Sequence, residues 1–103
     1  MSSKLRTIIG NSGHRVGVNF FCPGCGCGHY VTVDGHRNIA GAIWSWNGSE
    51  ESPTFQPSIL SNPDYAPGRC HCFVRDGKIQ FLDDCYHDLK GQTVLLPDAE
   101  GLL

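Results

Sequence analysis

Runs of basic residues are missing from this 103-residue sequence. Eight lysines and arginines stand against ten acidic residues, a net charge of −2, and they are scattered along the chain. Binding that works by neutralising phosphates needs clustered Lys and Arg, so nucleic-acid binding is disfavoured. No apolar stretch approaches the ~20 residues of a membrane-spanning helix, and the opening MSSKLRTIIGNSGHR lacks the apolar core of a secretory signal. A cytoplasmic protein in a reducing compartment is expected, with no membrane partner. Helix-period patterns are scarce, and there are no repeats or low-complexity tracts. A Gly-rich phosphate loop, a G-x-S-x-G turn and an H-E-x-x-H helix are all absent.

The length predicts a single domain over residues 1–103. A hydrophobic fraction of 40% permits one modest core, with a net stability of only ~5–15 kcal/mol. A metal staple matters more in such a chain than in a larger one.

Thirteen glycines and six prolines separate short β-like runs. Strands are predicted over 5–9, 15–21, 30–33, 42–46, 58–60, 70–75, 78–82 and 92–96. Val16, Val18 and Phe20 share a face, and Trp44 and Trp46 share another, as core residues. Asp34-Gly35 and Asn47-Gly48 close two of the runs. The stretches 48–57 and 61–69 read as loops. The clearest local signal is Asp76-Gly77 between two β-prone runs, which predicts a type I′ hairpin. Its register sets Val74 opposite Ile79 and Cys72 opposite Phe81. Residues 83–90 could form one helical turn, stopped by Gly91. The fold class is therefore mainly β: one or two small antiparallel sheets, with at most one short helical turn.

Six cysteines and five histidines carry the chemistry. Cys22-Pro23-Gly24-Cys25 is a C-x2-C knuckle, a turn in which two thiolates can reach one ion. One knuckle supplies two ligands, so a second segment must supply the others. The candidates are Cys70, His71, Cys72, Cys85 and His87, on and just after the hairpin. The mixture of Cys with His, without a secretory leader, favours zinc over disulfides. Strand alternation puts Cys70 and Cys72 on one face and His71 on the other. A strand thus offers an ion either the cysteines or the histidine, unless a bulge intervenes. Cys72 reads as a packed core thiol, Cys27 as a plain thiol, and His14 and His36 as surface residues. Thr54 and Ser58 have no base beside them in sequence and read as turn or capping residues.

Several motifs extend this reading: C-P-G-C…H from Cys22 to His29, W-x-W-N-G at 44–48 and P-T-F-x-P-S-I-L at 53–60. They continue with C-H-x-F-V-R-D-G-K-I-Q-F-L at 70–82 and D-C-x-H-x-L-x-G-Q-T-V-x-L-P at 84–97. Together they resemble a group of small phage and prophage proteins, sometimes labelled "ammonia monooxygenase". That label does not suit a sequence without a spanning stretch. The resemblance implies a small phage-type accessory protein, acting in the host cytoplasm, with zinc at some of Cys22, Cys25, His29, Cys70, His71 and His87. It implies a role in binding a host or phage macromolecule, with a protein partner expected. The alternative is a zinc-dependent hydrolase in which Asp84 or Asp88 serves as base at an open metal position.

Overall fold

A computed structural model describes residues 3–61 and 68–99. Of the loop predicted over 61–69, residues 62–67 lie outside the described residues. The fold is mainly β, with three small antiparallel sheets and no helix among the described residues. The first sheet runs β1(Arg6–Ile9), β2(Arg15–Cys22), β3(Cys27–Thr32) in spatial order. A two-stranded ribbon pairs β4(Ser45–Trp46) with β5(Phe55–Gln56). The third sheet is a meander of β6(Ile59–Ser61), β7(Cys70–Arg75), β8(Lys78–Phe81) and β9(Thr93–Leu95).

Alternation decides which residues enter the core. On β2, Val18, Phe20 and Cys22 are fully buried, because successive side chains of a strand point to opposite faces. On β7 the buried set is Cys70, Cys72 and Val74, whereas His71 and Phe73 are half-buried and Arg75 is exposed. Ile79 and Phe81 of β8 complete that inner face. Phe55 joins the ribbon to the first sheet, stacking on Phe20 at 6.3 Å between ring centroids and packing against Trp46 at 6.4 Å. Burying each such phenyl group contributes about 1.5–3 kcal/mol.

The β7–β8 hairpin has the predicted register, with Val74 opposite Ile79 and Cys72 opposite Phe81. Its turn residues Asp76 (φ 51°) and Gly77 (φ 75°) are both left-handed, as a type I′ turn demands. The turn is held from outside as well: Gly77 N–H donates to Pro53 O at 3.0 Å and Asp76 N–H to Thr54 Oγ1 at 2.9 Å.

Besides shifted strand ends, with β3 starting at Cys27 and β4 covering only Ser45–Trp46, two elements differ in kind from expectation. Phe55 and Gln56 form a strand inside the stretch predicted as a loop. Asn47 nucleates it, since its Oδ1 accepts from both Ser49 N–H and Thr54 N–H. Residues 83–90 form linked turns rather than a helical turn. Bonds from Cys85 N–H to Leu82 O and from Lys90 N–H to His87 O each close a single turn. The side chains between are drawn to separate partners, and Gly91 (φ 77°) reverses the chain.

Candidate functional site

Four side chains converge where the knuckle meets the meander. The β2–β3 turn delivers Cys22 and Cys25, the start of β7 delivers Cys70, and the turns after β8 deliver His87. Their ligand atoms all lie within 4.8 Å of one another and could hold one metal ion. The two sulfurs of Cys22 and Cys70 are 3.9 Å apart, and Cys70 Sγ is 3.6 Å from His87 Nε2. Tetrahedral coordination at about 2.3 Å for sulfur and about 2.0–2.1 Å for nitrogen would set those separations at about 3.8 Å and about 3.6 Å. The cluster therefore has the dimensions of a four-ligand site.

Its electrostatics make the same point. The Cys22 thiol is pushed up to about 12, first by its hydrogen bond with Cys70 and then by burial. Burial, followed by the charge of Cys22, pushes Cys25 up to about 12. For Cys70 the contact with Cys22 pulls down, but Cys72 and burial outweigh it, and the thiol is raised. Three thiols this close cannot ionise together without a cation, and a coordinated thiol is deprotonated outright. Burial holds His87 below the usual imidazole range, opposed by Asp88. A neutral imidazole is the form that a metal takes. The knuckle is shaped to this ring: an added Cβ at Gly24 would collide with the His87 imidazole.

His29 lies outside the four. Its Nδ1 is 3.2 Å from Ser61 Oγ, and its ring meets Phe20 edge-on at 5.6 Å. Its Nε2 is buried with no hydrogen-bond partner, while its presence pulls the Cys22 thiol downward against the larger upward effects. That is the sense expected of an imidazole near a sulfur that would become a thiolate on binding a metal.

His71 points the other way, as strand alternation requires. It sits between Ser58 and Asp84: Nε2 is 3.0 Å from Ser58 Oγ and Nδ1 is 3.2 Å from Asp84 Oδ2. A carboxylate only accepts, so Nδ1 carries a proton and donates to Asp84; in the neutral ring the bare Nε2 then accepts from the Ser58 hydroxyl. The pairing register explains the encounter. Leu60 lies opposite His71, so Ser58, two residues earlier, is the diagonal neighbour on the same outer face, within reach of a long side chain. Trp44 Nε1–H donates to Ser58 O at 3.2 Å and fixes the backbone there. Beyond β8, Leu82 N–H donates to His71 O at 2.9 Å, and the next turn brings Asp84 alongside. Cys85, one position on, grips the same residue from behind. His71 N–H donates to its sulfur at 3.2 Å, and its thiol donates to His71 O at 3.1 Å.

Of the six residues that the resemblance singled out, the structure brings Cys22, Cys25, Cys70 and His87 together and leaves His29 beside them and His71 facing away. Cys27 is exposed, Cys72 is buried across from Phe81, and all six cysteines are free. Ser58 and Asp84 as partners of His71 were missed. The hydroxyl and the imidazole are thirteen residues apart and meet only through strand pairing. The available signal was that His71 cannot share a face with Cys70.

A sequence model of the BubE family, described as a bacterial ubiquitination-like system serine protease, matches residues 2–82. The chain belongs to this family. The matched segment holds Ser58, His71, Cys22, Cys25 and Cys70, while Asp84 and His87 lie just past its end. No curated protein and no solved structure matches. No helix among the described residues is long and apolar enough to cross a membrane.

Proposed function

We infer that the chain is a serine peptidase in which Ser58 is the nucleophile, His71 the general base and Asp84 the residue that orients it. The observation that carries this is the unbroken Ser58–His71–Asp84 hydrogen-bonded chain, at 3.0 and 3.2 Å. The BubE family's description as a serine protease of a bacterial ubiquitination-like system supports it. A hydroxyl, an imidazole and a carboxylate in this geometry recur on unrelated folds and in different chain orders.

The roles follow from the tautomer. As Ser58 Oγ attacks the carbonyl carbon of a peptide bond, its proton passes to His71 Nε2. The imidazolium is stabilised by Asp84, which stays ionised. His71 then gives the proton to the departing amine nitrogen, leaving an acyl group on Ser58. Water, deprotonated by the same imidazole, releases the acid and restores the hydroxyl.

The thiol-rich cluster is read as a structural zinc site. Three thiolates and an imidazole fill a tetrahedron, whereas catalytic zinc keeps one position open. Zinc bound there would tie the knuckle to the back of β7 and to the turn after β8. Water activated at an open metal position therefore has less support than the serine relay. A purely binding role for a phage-type accessory protein leaves that relay without a purpose. The protein partner expected from sequence becomes the substrate.

A fluorophosphonate tests this. It should modify the chain at Ser58, and Ser58→Ala should abolish both labelling and peptide hydrolysis. His71→Ala should lower turnover by about 10³-fold or more, and Asp84→Asn by about 10²–10⁴-fold. Full hydrolysis by Ser58→Ala would refute the assignment.

A further inference from the structure

We propose that Arg75 and Lys78 form a carboxylate-binding subsite next to Ser58, so that the preferred peptide carries a carboxylate about two to four residues from the bond cleaved. This deepens the reading of Ser58 as nucleophile, which supplies the position of that bond; the anion site itself stands on separate observations.

The first is placement. His71, Phe73 and Arg75 follow one another along the outer face of β7, at about 6.8 Å for every two residues. An open groove of about 680 Å³ runs beside them, lined by Ser45, Gln56, Pro57, Ser58, Phe73 and Arg75. The nucleophile and the guanidinium thus share one groove. The Arg75 guanidinium is exposed and lies over the Phe73 ring, 4.2 Å from its centroid. That stacking turns the charge back toward the groove and leaves its N–H edge free to meet an anion.

The second is an uncompensated charge. Arg75 pairs directly with Lys78 across the hairpin, and both are exposed. Like charges directly opposite one another destabilise a strand pair. Among the described residues, no carboxylate lies within 4.0 Å of either. Asp76, in the turn between them, forms an ion pair with neither. In a chain of net charge −2, two facing cations left without a counterion beside a nucleophile are placed to receive one. A carboxylate suits the guanidinium fork. It can come from an Asp or Glu side chain of the substrate or from its terminal carboxyl.

Internally quenched peptides of alanine and glycine test this, with one position at a time set to Asp, Asn or Lys, each made as the C-terminal acid and as the amide. Affinity is measured by anisotropy on the Ser58→Ala chain, and kcat/KM on the unsubstituted chain. Asp should bind roughly tenfold tighter than Asn at one or two positions near the groove, the worth of one charge-assisted contact. The acid and amide series assign the carboxylate to a side chain or to the terminus. Arg75→Gln and Lys78→Gln should each shrink the Asp-over-Asn ratio, the double variant should bring it to about one, and Arg75→Glu should turn the preference toward Lys. Equal binding of Asp and Asn peptides together with equal binding of acids and amides, or a preference that survives the double substitution, would overturn the subsite. Asp-selective binding without cleavage by the unsubstituted chain would sink the nucleophile reading and leave the subsite standing. Cleavage with neither Asp-over-Asn nor acid-over-amide selectivity would do the reverse.

Discussion

If the four-ligand cluster holds a structural ion, as proposed, stripping it should unfold this protein or bring it close to unfolding. The four ligands lie on three segments separated by forty-five residues (Cys25 to Cys70) and seventeen (Cys70 to His87). Treated as cross-links, closing loops of those lengths removes chain entropy worth about 4 and about 3 kcal/mol from the unfolded state. Measured zinc contributions to small domains, about 10–16 kcal/mol, are larger because they include the bonds themselves. Even the lower figure is comparable with the ~5–15 kcal/mol of net stability of a typical domain. At about 4–8 °C per kcal/mol for ~100 residues, the melting midpoint should fall by tens of degrees. The assay is a thermal melt followed by circular dichroism, before and after a strong chelator, with Zn²⁺, Co²⁺ or Cd²⁺ then restored. Recovery of the melt with each ion, and of hydrolysis to within about twofold, is expected if the ion only holds segments together. A chelated protein that melts cooperatively within a few degrees of the loaded one would refute the structural role. Hydrolysis that varies by more than tenfold with the identity of the ion would show instead that the metal takes part in the chemistry.

Cys85→Ala should leave His71 N–H without its sulfur acceptor, costing about 1–3 kcal/mol and lowering kcat more than KM; Cys85→Ser, which keeps a donor and an acceptor, should recover most of both in steady-state kinetics. His29→Ala should weaken metal affinity by about 10–100-fold, as loss of an outer partner of a ligand usually does, read by competition with a coloured chelator. The Arg15 guanidinium, hydrogen-bonded to Asp34 at 2.6 Å, holds that carboxyl below its ordinary value. A lowered folded value means that the stability is present above about pH 4 and is lost as pH falls through it. Both side chains are about 40% exposed, so Asp34→Asn should cost under about 1 kcal/mol at pH 7. The difference from the unsubstituted chain should shrink in urea melts as pH is lowered past the ordinary aspartate range and vanish once the folded carboxyl is protonated.

The legible parts of the sequence were those in which neighbouring residues decide the structure. The 70–82 hairpin was readable because Asp76-Gly77 permits a single tight turn and the alternation beside it permits a single register. The knuckle was readable from Cys22-Pro23-Gly24-Cys25 alone. Its partners Cys70 and His87 were among the candidates but could not be singled out from His29, His71, Cys72 and Cys85, because they reach the knuckle through the packing of one sheet on another, which no spacing encodes. The Phe55–Gln56 strand escaped notice because an Asn47 side chain, rather than its own composition, organises it. Ser58 escaped for a similar reason. A serine before a strand is ordinary, and only the pairing of Leu60 with His71 gives it a base. Asp84 was considered as a base for metal-bound water; it instead lies against Nδ1 of His71.

The two candidate centres are not independent, because strand geometry joins them back to back. Residues 70 and 71 are consecutive, so whatever fixes the Cys70 sulfur on the inner face of β7 fixes the backbone that carries His71 on the outer face. The same holds after β8. Asp84 reaches outward to the imidazole, Cys85 turns inward to grip the His71 backbone, and His87 turns inward to the cluster. Cys70 and His87 thus lie behind the two segments that carry His71 and Asp84, β7 and the turns after β8, while Ser58 is set from the side by Trp44 and by the β6–β7 register. A half-exposed carboxylate is a weak restraint by itself, since water competes for it. An ion shared by Cys70 and His87 would cross-link that turn and hold Asp84 within reach of Nδ1 without burying it. On the proposed reading the thiols and one imidazole serve position while the hydroxyl and the other imidazole serve chemistry, which accounts for why so small a core carries so many soft ligands next to a serine.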